Sequence, residues 1–182
     1  MDIYELIRKR QSDRKYDSTR IPEREVLDRI LDAARLSPSA CNAQPWHFVV
    51  VDEPELSKRV ASTLTSLVTG NMNKFAVQAP VHILVVEEPV NFSSRIGGIL
   101  KNRHFAHIDI GLAVQNICLA ATQEGLGTCI MGWLDEKKLQ KLLGIPSSKK
   151  ILLDISVGYS LEEPKGKTRK ELEEIRSYNQ YK

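Results

Sequence analysis

The chain has 182 residues, 42% hydrophobic and 27% charged, with a formal net charge of +3 at neutral pH. That length and balance predict a single domain, 1–182, with a core of its own, and a charge so small excludes a general polyanion-binding character. An acidic, amphipathic start (Met1-Asp2-Ile3-Tyr4-Glu5), no apolar run of membrane-spanning length and three cysteines without a Cys-x-x-Cys pair point to a soluble, cytoplasmic protein lacking a disulfide framework or zinc site.

Ile3, Leu6 and Ile7 predict a short helix that ends in the basic run Arg8-Lys9-Arg10-Gln11-Ser12-Asp13-Arg14-Lys15. Pro22 suits a first helical residue, and Val26, Leu27, Ile30, Leu31 and Ala34 trace one face of a helix reaching Ser37. Pro38 ends it, small and polar residues follow, and Pro45 forces an extended entry into a strand over 47–51. Gln44 is expected to be extended because it precedes proline. The unbroken apolar run of the strand predicts burial on both faces, with His47 a satisfied core or interface histidine. Leu56, Val60, Leu64 and Leu67 mark a helix from Pro54 to Gly70, and a short helical piece precedes Pro80.

A second strand covers 81–87, and 88–103 reads as a loop or lid. The most apolar helix runs over 105–124; apolar nearly all round, it calls for a sheet on one side and a second subunit on the other. Gly125 caps it, a third strand covers 128–132, Asp135 caps a helix closed by Gly144, and a fourth strand covers 151–159. A charged, helical tail follows Pro164. Helices alternating with four buried strands predict one sheet covered by helices.

The basic clusters at the two ends, Arg8 to Lys15 and Lys165 to Lys170, suit a phosphate, with Arg10, Arg14, Lys167 and Arg169 as donors and Ser12 adding a hydroxyl. Two solvated surface runs are the alternative, and composition alone favours them. A nucleic-acid patch is weaker, because no aromatic residues interleave with these cations. No GxGxxG or GxxxxGKS occurs, so any nucleotide binds without a glycine loop. Gly132, after Met131, leaves main-chain N–H groups open to a ligand. His104 and His107 lack a third metal ligand nearby, Cys41 lacks a His or Asn partner at a signature spacing, and Asp109 is a carboxylate in a buried helix whose partner the sequence does not show.

Taken together these stretches resemble the FMN-dependent nitroreductase family. The run Arg8 to Tyr16 is similar to its N-terminal Arg-Arg-Ser-x-Arg-x-Phe signature, and Ser37-Pro38-Ser39-Ala40-Cys41-Asn42-Ala43-Gln44-Pro45-Trp46-His47-Phe48 closely resembles its Ser-Pro-Ser-x-x-Asn-x-Gln-Pro-Trp-x-Phe loop. Gly125-Leu126-Gly127-Thr128-Cys129 with Met131-Gly132 matches its late strand, and Lys167-x-Arg169 its C-terminal basic pair. The resemblance implies an α/β (α+β) three-layer sandwich, a mixed and mostly antiparallel sheet flanked by helices, built as an intertwined homodimer with FMN at the subunit interface. By position, Arg10, Gln11, Ser12, Arg14, Lys167 and Arg169 would hold the phosphate and ribityl chain. Pro38, Ser39 and Asn42 would reach the flavin from the partner subunit, main-chain groups at Met131 and Gly132 would face its N5 and O4 edge, and Lys74, with Asn71 or Asn73, its pyrimidine edge. The implied reaction carries two electrons from NADH or NADPH to a nitroaromatic or quinone-type acceptor by a ping-pong mechanism, with no catalytic side chain and no metal. A non-catalytic flavin-binding or sensing protein, reductive dehalogenation and flavin breakdown are the alternatives.

Overall fold

The computed structural model describes residues 1–65, 72–89 and 104–181. Helix α1 (Ile3–Lys9) opens on a reciprocal cap, in which the Glu5 N–H donates to the Asp2 side chain and the Asp2 N–H to the Glu5 side chain. Helix α2 (Arg24–Arg35) buries Leu27, Ile30 and Ala34. Glu23 is its N-cap, so Pro22 lies outside the helix, where its buried ring packs ahead of the first turn instead of forming it.

Strands β1 (Trp46–Val51), β2 (Val81–Glu87), β3 (Gly127–Met131) and β4 (Lys150–Gly158) form one sheet in the order β1-β2-β4-β3, with antiparallel ladders throughout. A parallel pairing is added at the outer edge of β3, where Ser12 bridges Thr128. The two-residue alternation of strands then sorts the core. Val81, Ile83, Val85, Ile155 and Val157 face α2 and the long helix α4 (Phe105–Gln123). Val51, Leu84, Val86 and Ile151 face Val60 of α3 (Pro54–Thr63) and Leu139 of α5 (Glu136–Leu143). Ile151 joins that side because the β2–β4 register shifts between Val85 and Val86. Three layers result, as the resemblance implies.

The expected caps are present. The Asp135 side chain accepts from the Lys138 N–H, and Gly144 closes α5 at φ 67°. Gly125 leaves α4 at φ 79°, with the Leu126 N–H on the Ala121 carbonyl at 2.8 Å and the Gly125 N–H on the Thr122 carbonyl at 3.2 Å, a double bond pattern that needs a left-handed residue.

β1 is an edge strand, paired with β2 alone among the described residues and mostly half-buried, because an apolar run does not report how many neighbours a strand has. His47 is exposed in the single chain and so is not a core histidine there. On α4, Ile108 is 54% and Leu112 44% exposed in the single chain, on the helix for which the sequence expects a second subunit. By length and composition α4 would cross a membrane, but half of it packs inside this fold as a core helix does. The tail is helical only over α6 (Leu172–Ile175). α3 stops at Thr63, while Leu67 and Gly70 lie outside the described residues, as does 90–103 of the expected lid. The helical piece before Pro80 is a 3-10 turn, Lys74–Gln78.

Candidate functional site

The residues after α1 run along the outer edge of β3 and fasten to the chain beyond β4. The Asp13 N–H donates to the Thr128 carbonyl, the Asp17 N–H to the Tyr159 carbonyl and the Leu161 N–H to the Lys15 carbonyl, each at 2.9 Å. The buried Asp13 carboxylate accepts from Gln11 Nε2 at 3.0 Å and Ser160 Oγ at 2.6 Å. Gln11 Oε1 accepts from the Lys165 N–H at 2.9 Å, so its amide joins the N-terminal and C-terminal segments. Room for Asp13 depends on Gly127, where a Cβ would stand 2.7 Å from Asp13 Oδ2.

This stitching brings cations from both ends of the chain together. Arg10 is the C-cap of α1. Lys167 Nζ donates to the Ile7 carbonyl at 2.8 Å and the Arg8 carbonyl at 2.5 Å, at the negative end of the α1 dipole. Partial burial, then the nearby charges of Arg10 and Arg169, hold the Lys167 ammonium below its ordinary pKa. Ser12 follows on the β3 edge, and Arg14 Nη1 donates to the Ser12 carbonyl at 3.3 Å. The Arg14 guanidinium lies 5.9 Å from the Phe75 ring centroid, and exposed Lys74 precedes Phe75. Phe75 packs with buried Cys129 and Met131, and Gly132 is exposed at the end of β3, where a Cβ would meet only Leu153 at 3.7 Å. Arg10, Gln11, Ser12, Arg14, Lys74, Met131, Gly132, Lys167 and Arg169 therefore belong to the β3 side of the fold. Asn71 lies outside the described residues, and the buried Asn73 amide is spent on the Leu64 carbonyl at 2.9 Å.

Pro38, Ser39 and Asn42 are elsewhere, in the loop that feeds β1 at the opposite edge of the sheet. This loop is strained: Cys41, Asn42 and Gln44 have φ of 53°, 52° and 46°. Gln44 is thus left-handed, not extended. Ser39 Oγ accepts its N–H at 3.0 Å and the Trp46 N–H takes its carbonyl at 2.8 Å, so local hydrogen bonds override the preference set by Pro45. The partner that Asp109 needs is also here, the Ala40 N–H, 3.0 Å from Asp109 Oδ2.

Several buried polar groups carry no sequence signal. Tyr16 OH donates to the Asp13 carbonyl at 2.7 Å and lies 3.0 Å from Ser156 Oγ, and burial drives its phenol well above the ordinary range. His82 Nδ1 lies 2.8 Å from Asp154 Oδ2, both side chains fully buried, with His82 Nε2 and Asp154 Oδ1 lacking partners. Diagonal cross-strand pairs such as this depend on register, which spacing along one strand does not encode. Burial pushes the Cys129 thiol up to about 11 and raises Cys118 also, which disfavours thiolate chemistry at either. His104 and His107 stack with ring centroids 5.3 Å apart, and among the described residues no cluster fit to hold a metal occurs.

The sequence profile of the nitroreductase family matches residues 7–159. The chain belongs to that family. A Methanothermobacter thermautotrophicus protein provisionally named NADH dehydrogenase/NAD(P)H nitroreductase is 35% identical over 168 residues, 90% of this chain and 80% of the relative. Rat iodotyrosine deiodinase 1 is 30% identical over 179 residues, covering 87% of this chain but only 62% of the deiodinase. Among solved structures, an FMN-dependent nitroreductase of Clostridium difficile R20291 superposes with a TM-score of 0.77 at 28% identity, over 98% of this chain and all of the other. A nitroreductase family protein of Streptococcus pneumoniae TIGR4 shares the fold at a TM-score of 0.80 and 24% identity, over 98% and 100% of the two chains. This nitroreductase-family chain thus has relatives named for more than one reaction.

Proposed function

We propose that this chain is an FMN-dependent oxidoreductase that passes two electrons from NADH or NADPH to a nitroaromatic or quinone-type acceptor. The observation that carries the proposal is the meeting of Arg10, Lys167 and Arg169 beside the β3 edge, with Lys167 destabilised as a cation until an anion joins it. A phosphate ester supplies that anion, and arginine forks match its oxygens. The FMN-dependent solved relative and the name of the archaeal relative support the cofactor and the donor.

Bound FMN would supply the two-electron chemistry; the protein supplies binding, orientation and field. Arg10, Lys167 and Arg169 would hold the phosphate, Ser12 and Arg14 the chain that leaves it, and Gln11 would keep the C-terminal cations in place through its bonds to the 163–165 segment. Arg14 and Lys74 would set positive charge beside the pyrimidine edge. Main-chain groups at Met131 and Gly132 would face the N5 and O4 edge. Pro38, Ser39 and Asn42 come from a second copy, because within one protomer they belong to the β1 side of the sheet. Donor and acceptor share one open face in turn, which gives ping-pong kinetics. We place the protein in the cytoplasm as a homodimer.

The test begins with the absorption spectrum of the protein as purified or after incubation with FMN. NADH without oxygen is expected to bleach it, and a nitroarene or quinone to restore it. Arg10→Ala is expected to weaken FMN binding at least tenfold and to lose activity in proportion. A protein that stays colourless with excess FMN refutes the reading. Reductive dehalogenation is the second reading, favoured by the deiodinase relative; halide release from a halogenated phenol under the same reducing conditions distinguishes it.

A further inference from the structure

α4 is apolar along most of its length, but two polar side chains on it, Asp109 and Asn116, turn toward the same loop. Asp109 is 5% exposed and its Oδ2 takes the Ala40 N–H at 3.0 Å. Asn116 Nδ2 donates to Ser37 Oγ at 2.7 Å and to the Ala33 carbonyl at 3.4 Å. Seven residues apart, they lie two turns apart on one face, about 10.5 Å along the axis. The chain from Ser37 to Ala40 covers three residues, which when extended span about 10–11 Å. Ser39 is extended, at φ −146° and ψ 153°. The loop therefore runs antiparallel along α4, fastened at both ends.

Beyond the second fastening point, the backbone resists its own residues. Cys41, Asn42 and Gln44 are all left-handed without a glycine among them. Such strain persists where surroundings over-determine it. An apolar residue at 109 would fill the same space without the cost of burying a carboxylate, so packing alone does not account for Asp109. Its oxygen instead takes the Ala40 N–H one residue before the left-handed turn begins at Cys41.

We propose that Asp109, with Asn116, is a positioning residue that holds the 37–44 loop in the shape that presents Pro38, Ser39 and Asn42 to FMN. This rests on the flavin function proposed above, but its first consequence, protection of the loop, does not need flavin.

The experiment compares wild type, Asp109→Ala, Asp109→Asn and Ser37→Ala as apoproteins and with added FMN. Circular dichroism checks folding, hydrogen exchange of the 37–44 peptide reads the loop, and fluorescence titration reads FMN binding. Asp109→Ala is expected to speed exchange of the peptide at least tenfold and to weaken FMN at least tenfold. Asp109→Asn keeps an acceptor for the Ala40 N–H and is expected to stay within threefold of wild type in both. Ser37→Ala frees the other end and is expected to speed exchange about threefold, which decides the matter if Asp109→Ala does not fold. Wild-type exchange in Asp109→Ala, wild-type FMN affinity in that variant, or equal losses in Asp109→Ala and Asp109→Asn would each overturn the proposal. A wild-type protein that takes up no FMN refutes the flavin reading instead, and the loop clamp then stands or falls on exchange alone.

Discussion

Lys167 concentrates the electrostatics of the proposed phosphate site in one side chain. Partial burial and the charges of Arg10 and Arg169 lower its pKa in the folded protein. Its protonated form is thus less favoured folded than unfolded. The resulting cost to stability is present in full at neutral pH and fades only as pH climbs through the depressed value. An anion at the site reverses the imbalance. Inorganic phosphate is expected to raise the Tm of the apoprotein more than chloride at matched ionic strength, and Lys167→Met to remove at least half of that difference in a thermal scan. The interior also holds a buried hydrogen bond between His82 and Asp154. Removing one partner leaves the other without it in a buried layer, so His82→Ala is expected to cost about 2–5 kcal/mol in urea denaturation. A loss under about 1 kcal/mol would mean that the contact contributes little to the fold.

Among the elements, β3 is the one on which the site hangs. Its inner edge pairs with β4 from Gly127–Gly158 to Met131–Asp154, and its outer edge receives Ser12 and Asp13. Gly127 is where those two demands meet, since a methyl there collides with Asp13 Oδ2 at 2.7 Å and Ser160 Cβ at 2.9 Å. Gly127→Ala is expected to destabilise by about 1–3 kcal/mol. Because Asp13 anchors the segment carrying Arg10, Ser12 and Arg14, it is also expected to weaken FMN several-fold, read by titration beside the denaturation curve. The strands themselves were legible from apolar runs flanked by Gly and Pro, and α4 from its length and composition. Edge or centre was not, because Phe48 to Val51 looks the same whether one neighbour is present or two.

For the whole molecule, one protomer leaves apolar surface on the elements that the proposed dimer would cover. Ile3, Tyr4 and Ile7 of α1, Ile108 and Leu112 of α4, and Leu172 and Ile175 of α6 are each at least 44% exposed. The loop with Ser39 and Asn42 belongs to one edge of the sheet, and the cations to the other. In the proposed dimer, burying the apolar faces would bring one copy's loop to the other copy's cations. Light scattering on a sizing column is expected to give a dimer, and Leu112→Glu to yield monomer with FMN affinity reduced at least tenfold. A monomeric variant that binds FMN as tightly as wild type would remove the second subunit from the site.

Residue order alone determined the local choices: helix periodicity, the caps at Asp135, Gly125 and Gly144, the four strands, and the motifs whose family resemblance implies a flavin phosphate. These depend on neighbours within a few positions, which a chain states directly. Tertiary structure alone decided that Gln44 turns left-handed, that Gln11 ties 163–165 to the N-terminal segment, that Asp13 lies buried against Gln11 and Ser160, and that Asp109 meets the Ala40 N–H. Each of these is a hydrogen bond or a close approach closed by register and packing, often between residues far apart in the chain, and so absent from any local pattern.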